Sequence, residues 1–471
     1  MNKEEDIELQ ENLLNGTDSF ASSPNSQELS EYVTYKGETF LRKPLTDWRV
    51  SKNLKSQILF SFSFLFLVGL SDQAVGSLIP TLIELFNTTQ FSISIIFILQ
   101  FCGYSTAALS NNWIHLKFGR VGVLTFGISS LIFAYSFIGI FNLKLPLAIF
   151  IPLFYFIGLG IGLTDSCLNV YLSNLDDSNE IMGIFHGTYG LGSIFSPPII
   201  SFILKIFGKE KFYYGYLGLL IISIVELIGI RFTFKNETPI KYEYFNFIHH
   251  DSKEIEDDDD DEDQGLDNSV SFQGLIKDWL IIAFCVYLFL YIGAEISISS
   301  WILTYLLQVM NLEQLESSFI ISWFWIGLSV GRIFLGFCTK YFKNEYRANL
   351  SYSITSFLTF SLLTILCFFI SPSIHFLNFL VFLSGIFIGP LFPTANIALI
   401  KILPSKYHVL AVGIFTSLGG CGSAILPFLV GNLADLTGFR WLLWYIWVPI
   451  GGYSLVWLGI PKLKSRFVYD Y

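Results

Sequence analysis

The chain has 471 residues, of which 53% are hydrophobic and 14% charged, with 48 phenylalanines and a formal net charge of −10. A water-soluble protein carries roughly 25% charged residues, so this composition excludes a string of ordinary soluble domains and indicates a chain solvated mainly by lipid. The acidity says little about a ligand, because ten acids and one lysine between Asp251 and Asp263 supply most of it.

In chain order, residues 1–55 are polar and read as a disordered cytoplasmic tail. Twelve apolar runs follow, at about 58–86, 92–114, 121–141, 147–172, 182–206, 213–234, 279–308, 317–341, 348–370, 375–402, 410–435 and 441–460. Each is long enough for a helix to cross a hydrocarbon core, which takes ~20 residues. The connections are short except for 235–278, an acidic segment without apolar periodicity that reads as a solvated cytoplasmic linker. The expectation is an all-α polytopic membrane protein with an N-terminal six-helix half over 56–234, a C-terminal half over 279–460 and a short cytoplasmic tail over 461–471. With the N-terminus placed in the cytoplasm, 22 of the 28 basic residues fall on that side. Five fall opposite (Lys144, Lys205, Lys209, Lys211 and Arg440) and Arg332 lies within a span. That asymmetry follows the positive-inside rule, so both termini are expected in the cytoplasm, in a plasma or vacuolar membrane.

The two halves repeat one another. Gly192, Ser193, Pro197 and Gly208 in and after span five recur as Gly422, Ser423, Pro427 and Gly438 in and after span eleven, 230 residues on. Gly158, Gly162 and Asn169 in span four recur as Gly385, Gly389 and Asn396 in span ten, 227 residues on. Halves related by an axis along the membrane normal place a solute between them near the midplane. The glycines and prolines of spans five and eleven suit close helix contact and bending during rocking. The run Gly158-Leu-Gly-Ile-Gly162 is small-residue helix packing rather than a nucleotide loop, since no strand precedes it. The six cysteines lie in apolar runs without paired spacing or neighbouring histidines, so no metal site is expected.

Ionisable groups inside spans are costly and commonly face a cavity or a partner. Asp72 sits mid-span in the first helix. Asp165 sits late in the fourth, with Asn169 one turn beyond on the same face. A carboxylate in a water-poor cavity that also hydrogen-bonds a polar solute can load and unload a proton, so both are candidates for proton coupling, with Asp72 also touching solute. Glu295 opens the second half as Asp72 opens the first, and is followed by Ser297, Ser299, Ser300 and Thr304, with Trp301 and Tyr305 one turn apart. An acid, hydroxyls and aromatic rings on one helix suit a sugar-like solute. Glu295, Trp301, Asn169 and Asn396 are therefore expected to line the cavity, as is Arg332, which could equally snorkel. Glu226 reads as structural. His186 is either a proton relay or a packing residue near the start of span five.

Twelve spans in two halves with a central linker resemble the major facilitator superfamily. The segment Asn112-Trp-Ile-His-Leu-Lys-Phe-Gly119-Arg120 is similar to that superfamily's loop signature, with Leu116 where the signature has an aspartate. The stretches Gly69-Leu-Ser-Asp72 to Pro80, Asp165 with Asn169, His186-Gly-Thr-Tyr-Gly190, Gly293-Ala-Glu295 with Trp301, and Gly389-Pro-Leu-Phe-Pro393 resemble its fucose–proton symporter-like branch, in particular fungal members without an assigned substrate. That resemblance implies the superfamily fold, and acids in spans one and four that serve sugar binding and proton coupling; Asp72 and Asp165 occupy those places.

The expected function is a secondary transporter of a small polar solute, a sugar among the candidates, working by alternating access and proton symport. The alternatives are a proton-antiport exporter of amphiphilic compounds and a non-transporting nutrient receptor. An enzyme is not expected, for the spans hold no catalytic dyad. No cofactor is expected beyond the coupling proton, and no nucleic-acid partner. The partners are a small-molecule solute and the bilayer, with the chain acting as a monomer.

Overall fold

The computed structural model describes residues 32–141, 145–245, 277–370, 372–403 and 408–463. The acidic run Asp251–Asp263 and residues 1–31 and 464–471 lie outside them. Eleven helices are long and apolar enough to cross a membrane, and one of these, Gln90–Phe141, has 52 residues. At 1.5 Å per residue such a helix would be far longer than a bilayer is thick. It breaks at Gly119 (φ 67, ψ −177), so the described residues form twelve spans, as the apolar runs predict. They are α1 (Lys52–Phe86), α2 (90–118), α3 (120–141), α4 (Leu147–Ser173), α5 (Ser178–Phe207), α6 (Tyr213–Thr233), α7 (Trp279–Gln308), α8 (Gln314–Tyr341), α9 (Glu345–Phe369), α10 (Ile374–Ile402), α11 (Ala411–Thr437) and α12 (Leu442–Gly459). Twelve crossings put the start of α1 and the end of α12 on one side, here termed the terminal side.

The helix ends follow from local chemistry. The Ser51 side chain accepts from the Leu54 backbone N–H, Asp278 from Leu280 and Asn344 from Arg347, each satisfying a first-turn donor. Asn87 closes α1 in the left-handed region (φ 45). Helices α5 and α11 end on Gly208 (φ 87) and Gly438 (φ 99), each followed by a 3-10 turn. These are the paired glycines of the 230-residue repeat.

Packing within the halves obeys the same repeat. Added Cβ atoms would fall 1.8 Å from the Gln100 carbonyl oxygen at Gly158, and 2.3 Å from that of Phe324 at Gly385. So α4 lies backbone-to-backbone on α2, and α10 on α8. Likewise Gly192 meets the Phe66 carbonyl and Gly422 that of Phe289, at 2.2 and 2.0 Å from the added Cβ, which seats α5 on α1 and α11 on α7. Small residues allow this approach where lipid supplies no hydrophobic drive for helix association.

Over residues 32–55, the described part of the expected disordered tail, the structure differs from that expectation. Two strands, β1 (Tyr32–Tyr35) and β2 (Glu38–Leu41), pair antiparallel with Val33 opposite Phe40. Their two-residue turn, Lys36-Gly37, has positive φ at both positions (45 and 86), the mirror-image turn that matches strand twist. The hairpin rests on the chain following α6. Lys36 Nζ meets Glu243 at 2.8 Å, the Thr238 hydroxyl donates to Glu38, and the Phe40 and Tyr244 rings lie 5.1 Å apart. Residues 239–245 are helical, so the start of the expected linker is structured too. A ten-residue hairpin escapes a search for long apolar runs.

The signature loop explains its own glycine. Gly119 needs both its left-handed φ and its missing side chain, because an added Cβ would fall 2.4 Å from the Pro239 nitrogen. Arg120 Nη1 pairs with Glu237 Oε2 at 2.7 Å, Lys241 Nζ with Glu237 Oε1 at 2.6 Å, and the Val121 N–H donates to the Glu237 carbonyl. The arginine of the signature loop is thus paired with an acid from beyond α6. Burial alone would push the Glu237 carboxyl up, but Arg120 and Lys241 outweigh it and hold it below its ordinary value. A depressed carboxyl stabilises the fold above its unfolded pKa and loses that contribution as pH falls through the folded value. Glu237→Gln should therefore cost on the order of 2 kcal/mol at pH 7, with the gap to wild type closing below the ordinary carboxylate range. Thermal melts in detergent at pH 7 and pH 3.5 would check this.

Candidate solute-binding site between the two halves

The halves touch mainly on the side opposite the termini. An added Cβ at Gly76 of α1 would lie 2.9 Å from the Ser299 carbonyl oxygen of α7. Gln314 Nε2 donates to the Ser77 carbonyl at 3.1 Å, and Ser322 Oγ to the Ile194 carbonyl at 2.7 Å. The Phe91 and Phe428 rings meet at 5.6 Å, and Asn432 Nδ2 reaches Ser94 Oγ at 3.4 Å. Towards the terminal side the halves diverge. Gly183, Gly187, Gly413 and Gly420 face open space, and Leu109 is 88% exposed. Between the halves lies a cavity of about 570 Å³ walled by α1, α2, α4, α7, α10 and α11. The structure is thus closed on one side and open towards the other.

Asp72 faces this cavity from α1. Its Oδ1 accepts from Gln100 Nε2 of α2 at 2.8 Å, and its Oδ2 from the Tyr189 hydroxyl of α5 at 3.3 Å. Asp165 of α4 stands behind the wall. Its Oδ2 accepts from the hydroxyl of Tyr104, a lining residue, at 3.2 Å, and its Oδ1 from Asn169 Nδ2 at 2.8 Å. Gln100 and Tyr104 are one turn apart on α2, so a single helix face gives a donor to each acid. Gly158 makes this possible by letting α4 reach the backbone of α2 at Gln100. Among the described residues neither carboxylate takes part in an ion pair. The remaining polar lining is Gln73 and Ser105 in the first half and Ser299, Ser300, Thr416, Ser417 and Ser423 in the second, with Phe97, Phe101 and Phe392 among the apolar walls.

Several expected lining residues lie elsewhere. Trp301 is fully buried, with Nε1 donating to the Pro427 carbonyl at 2.8 Å and its ring filling the space over Gly431. It is a structural anchor between α7 and α11, with its ring 6.4 Å from that of Phe97, a lining residue. Glu295 is 8% exposed and absent from the lining. It lies inside the second half near Tyr291 and Arg332. Arg332 does not snorkel; its Nε donates to the Gly389 carbonyl at 3.3 Å. Asn169 acts through Asp165, and Asn396 is half-buried outside the lining. His186 is exposed at the open end of α5, close enough to Arg332 to feel its charge. Pro197 and Pro427 lie inside helices α5 and α11, and Gly192 and Gly422 are the contact points described above. Glu226 is buried in α6 beside Ser63, away from the cavity. Gln73, Gln100, Tyr104 and Tyr189 belong to the site although no charge singles them out in the sequence. The signal available was amides and hydroxyls at four-residue spacing, such as Gln100 and Tyr104, inside an apolar run.

Two six-helix halves that enclose a largely apolar cavity dotted with polar side chains, closed on one face, define a polytopic membrane transport protein. The chain belongs to the Major Facilitator Superfamily, whose sequence pattern matches residues 61–365 and 351–468. It is 35% identical over 478 residues to Bypass of stop codon protein 6 of Saccharomyces cerevisiae, covering 97% of this chain and 93% of that protein. It is 26% identical over 384 residues to the glucose/mannose transporter GlcP of Bacillus subtilis, covering 80% of this chain and 88% of that one. Its fold is similar to the crystal structure of a D-xylose-proton symporter, with a TM-score of 0.65 and 12% identity over 89% of this chain and 99% of the other.

The closed side is held by uncharged contacts, each worth ~1 kcal/mol. Gln314→Ala should therefore raise the population open on that side ~5-fold. The check is the labelling rate, by a membrane-impermeant maleimide, of a cysteine placed at Ser94 with and without Gln314→Ala.

Proposed function

We propose that the protein is a proton-coupled symporter of a neutral monosaccharide, alternating between this state, open towards the terminal side, and one open opposite. The observation that carries this reading is a pair of intramembrane carboxylates held only by neutral donors. A carboxylate locked to arginine or lysine gains little from a proton. One hydrogen-bonded by an amide and a phenol can be neutralised without leaving a buried cation behind. Asp72 is the cavity acid, meeting proton and solute together. Asp165, reached through Tyr104, is the second proton site. Among the described residues no basic side chain lines the cavity, which disfavours an anionic solute. The amides of Gln73 and Gln100 and the serine hydroxyls suit sugar hydroxyls, and the Phe97, Phe101 and Phe392 rings suit the C–H faces of a pyranose. The Bacillus relative, named for glucose and mannose, supports hexoses as first probes. The positive-inside asymmetry makes the terminal side cytoplasmic, so this state would release an imported solute inward.

The apolar wall of the second half, with Leu288, Ile292, Ile296 and Phe392, favours one other reading, a proton-antiporting exporter of amphiphilic compounds. Charge movement on solid-supported membranes separates the two. Symport of a neutral sugar moves positive charge with the solute, and Asp72→Asn and Asp165→Asn should each cut that pH-dependent current at least ~10-fold, as expected for loss of one charged hydrogen-bonded group. Sugar-evoked currents that survive both substitutions would sink the carboxylate mechanism. Currents evoked by amphiphiles alone, opposite in sign, would favour export.

A further inference from the structure

We infer that Tyr189 is a positioning residue that ties the state of the Asp72 carboxylate to the α5–α8 contact between the halves. The inference rests on the proposed proton coupling and names the part that transmits it. Three contacts carry it. The backbone of Tyr189 is pinned to α1: an added Cβ at Gly69 would fall 2.2 Å from the Tyr189 carbonyl oxygen, and Gly192 meets Phe66 and Leu70 just beyond. Its hydroxyl donates to Asp72 Oδ2. Its ring packs edge-on against Trp325 of α8, in the other half, at 5.7 Å and 74°. One residue on, an added Cβ at Gly190 would lie 2.7 Å from Ser329 Oγ of α8.

This contact sits at the terminal-side edge of the closed region, where α5 and α8 begin to diverge. Rocking of the halves must change how Trp325 meets the ring, while Gly69 and Gly192 keep the Tyr189 backbone fixed beside Asp72. The hydroxyl has one proton to donate. A charged Asp72 binds it more strongly than a neutral one, so protonation loosens the ring from one side and helix movement loosens it from the other. The groups that face this pair come from every neighbouring helix. Asp72 has Asp165 of α4, Tyr104 and Gln100 of α2 and Tyr135 of α3 around it. Tyr189 has Glu295 of α7 and Arg332 of α8, with His186 one turn before it beside Arg332.

Two experiments test it, the second independent of any solute. In proteoliposomes with an inward proton gradient, labelled D-glucose, D-mannose and D-xylose would be followed. Tyr189→Phe should lower pH-driven accumulation ~10-fold, the size of one hydrogen bond to a charged group, and flatten its dependence on external pH. Trp325→Phe should do the same, and the double variant should be no worse than the worse single. In a chain whose six cysteines are replaced by serine, spin labels at Ile184→Cys of α5 and Ile333→Cys of α8 report the opening of the terminal side. Their distance distribution should shift between pH 5 and pH 8, and Tyr189→Phe should abolish the shift while Asp165→Asn leaves part of it. A pH-invariant distance in the parent chain, or a shift that survives Tyr189→Phe, overturns the inference, as do fully additive losses. Absence of sugar movement in the parent chain sinks the proposed substrate class and leaves the distance measurement to decide on Tyr189.

Discussion

Backbone-to-backbone contact at a few glycines is the constraint on which the site depends. A lipid-solvated bundle has no hydrophobic effect between helices to align them, so close approach must come from missing side chains. Gly158 brings α4 to Gln100, and Gly192 brings α5 to Phe66. Without the first, Asp165 would stand off from Tyr104. Without the second, Tyr189 would not reach Asp72. Polar contacts of 2.8 to 3.3 Å among four helices are set by main-chain packing several ångströms away.

The two halves share that scaffold and differ in what they hang on it. The offset of 227 residues that relates α4 to α10 puts Phe392 at the place of Asp165. The offset of 223 that relates Phe66 to Phe289 puts Glu295 at the place of Asp72. Glu295 is turned to Tyr291 and Arg332, and Phe392 faces the cavity. Titratable chemistry at the cavity is therefore confined to the first half, while the second gives hydroxyls and apolar surface. On the proposed mechanism, a carrier built this way would keep its protonation sites within one half. Only contacts across the interface, such as that of Tyr189 with Trp325, can report their state to the other half.

Much of this was legible in the sequence. Twelve apolar runs give twelve spans, since hydrophobic length is a direct imprint of the bilayer. The paired glycines mark equivalent helix contacts because a close approach tolerates no other residue. Asp72 and Asp165 stood out because a carboxylate in a span is costly unless it has a task. The misplacements have physical reasons too. Trp301 and Glu295 were expected at the cavity from their company of hydroxyls on α7. A helix has several faces, though, and near-complete burial of all of them hides which one meets the solute. The hairpin over Tyr32–Leu41 is held by contacts with residues some 200 positions away, which no local pattern announces. Gln100 and Tyr104 are neutral and carry no signal of cost.

The interface between halves adds a last step. Among the described residues no ion pair joins the two halves, and the contacts between them on the closed side are neutral hydrogen bonds or apolar touches. Arg120, Glu237 and Lys241 rivet the terminal face of the first half, and Arg49 with Asp177 ties the segment before α1 to the turn before α5. Charge is used where geometry must not change, and weak uncharged contacts where it must. A closed state secured by several contacts of ~1 kcal/mol can be displaced by the binding energy of one small solute and one proton, since a ligand shifts an equilibrium only by its differential affinity for the two states. A salt bridge at Gln314 or Asn432 would hold that side shut more firmly and would slow the carrier for the same reason.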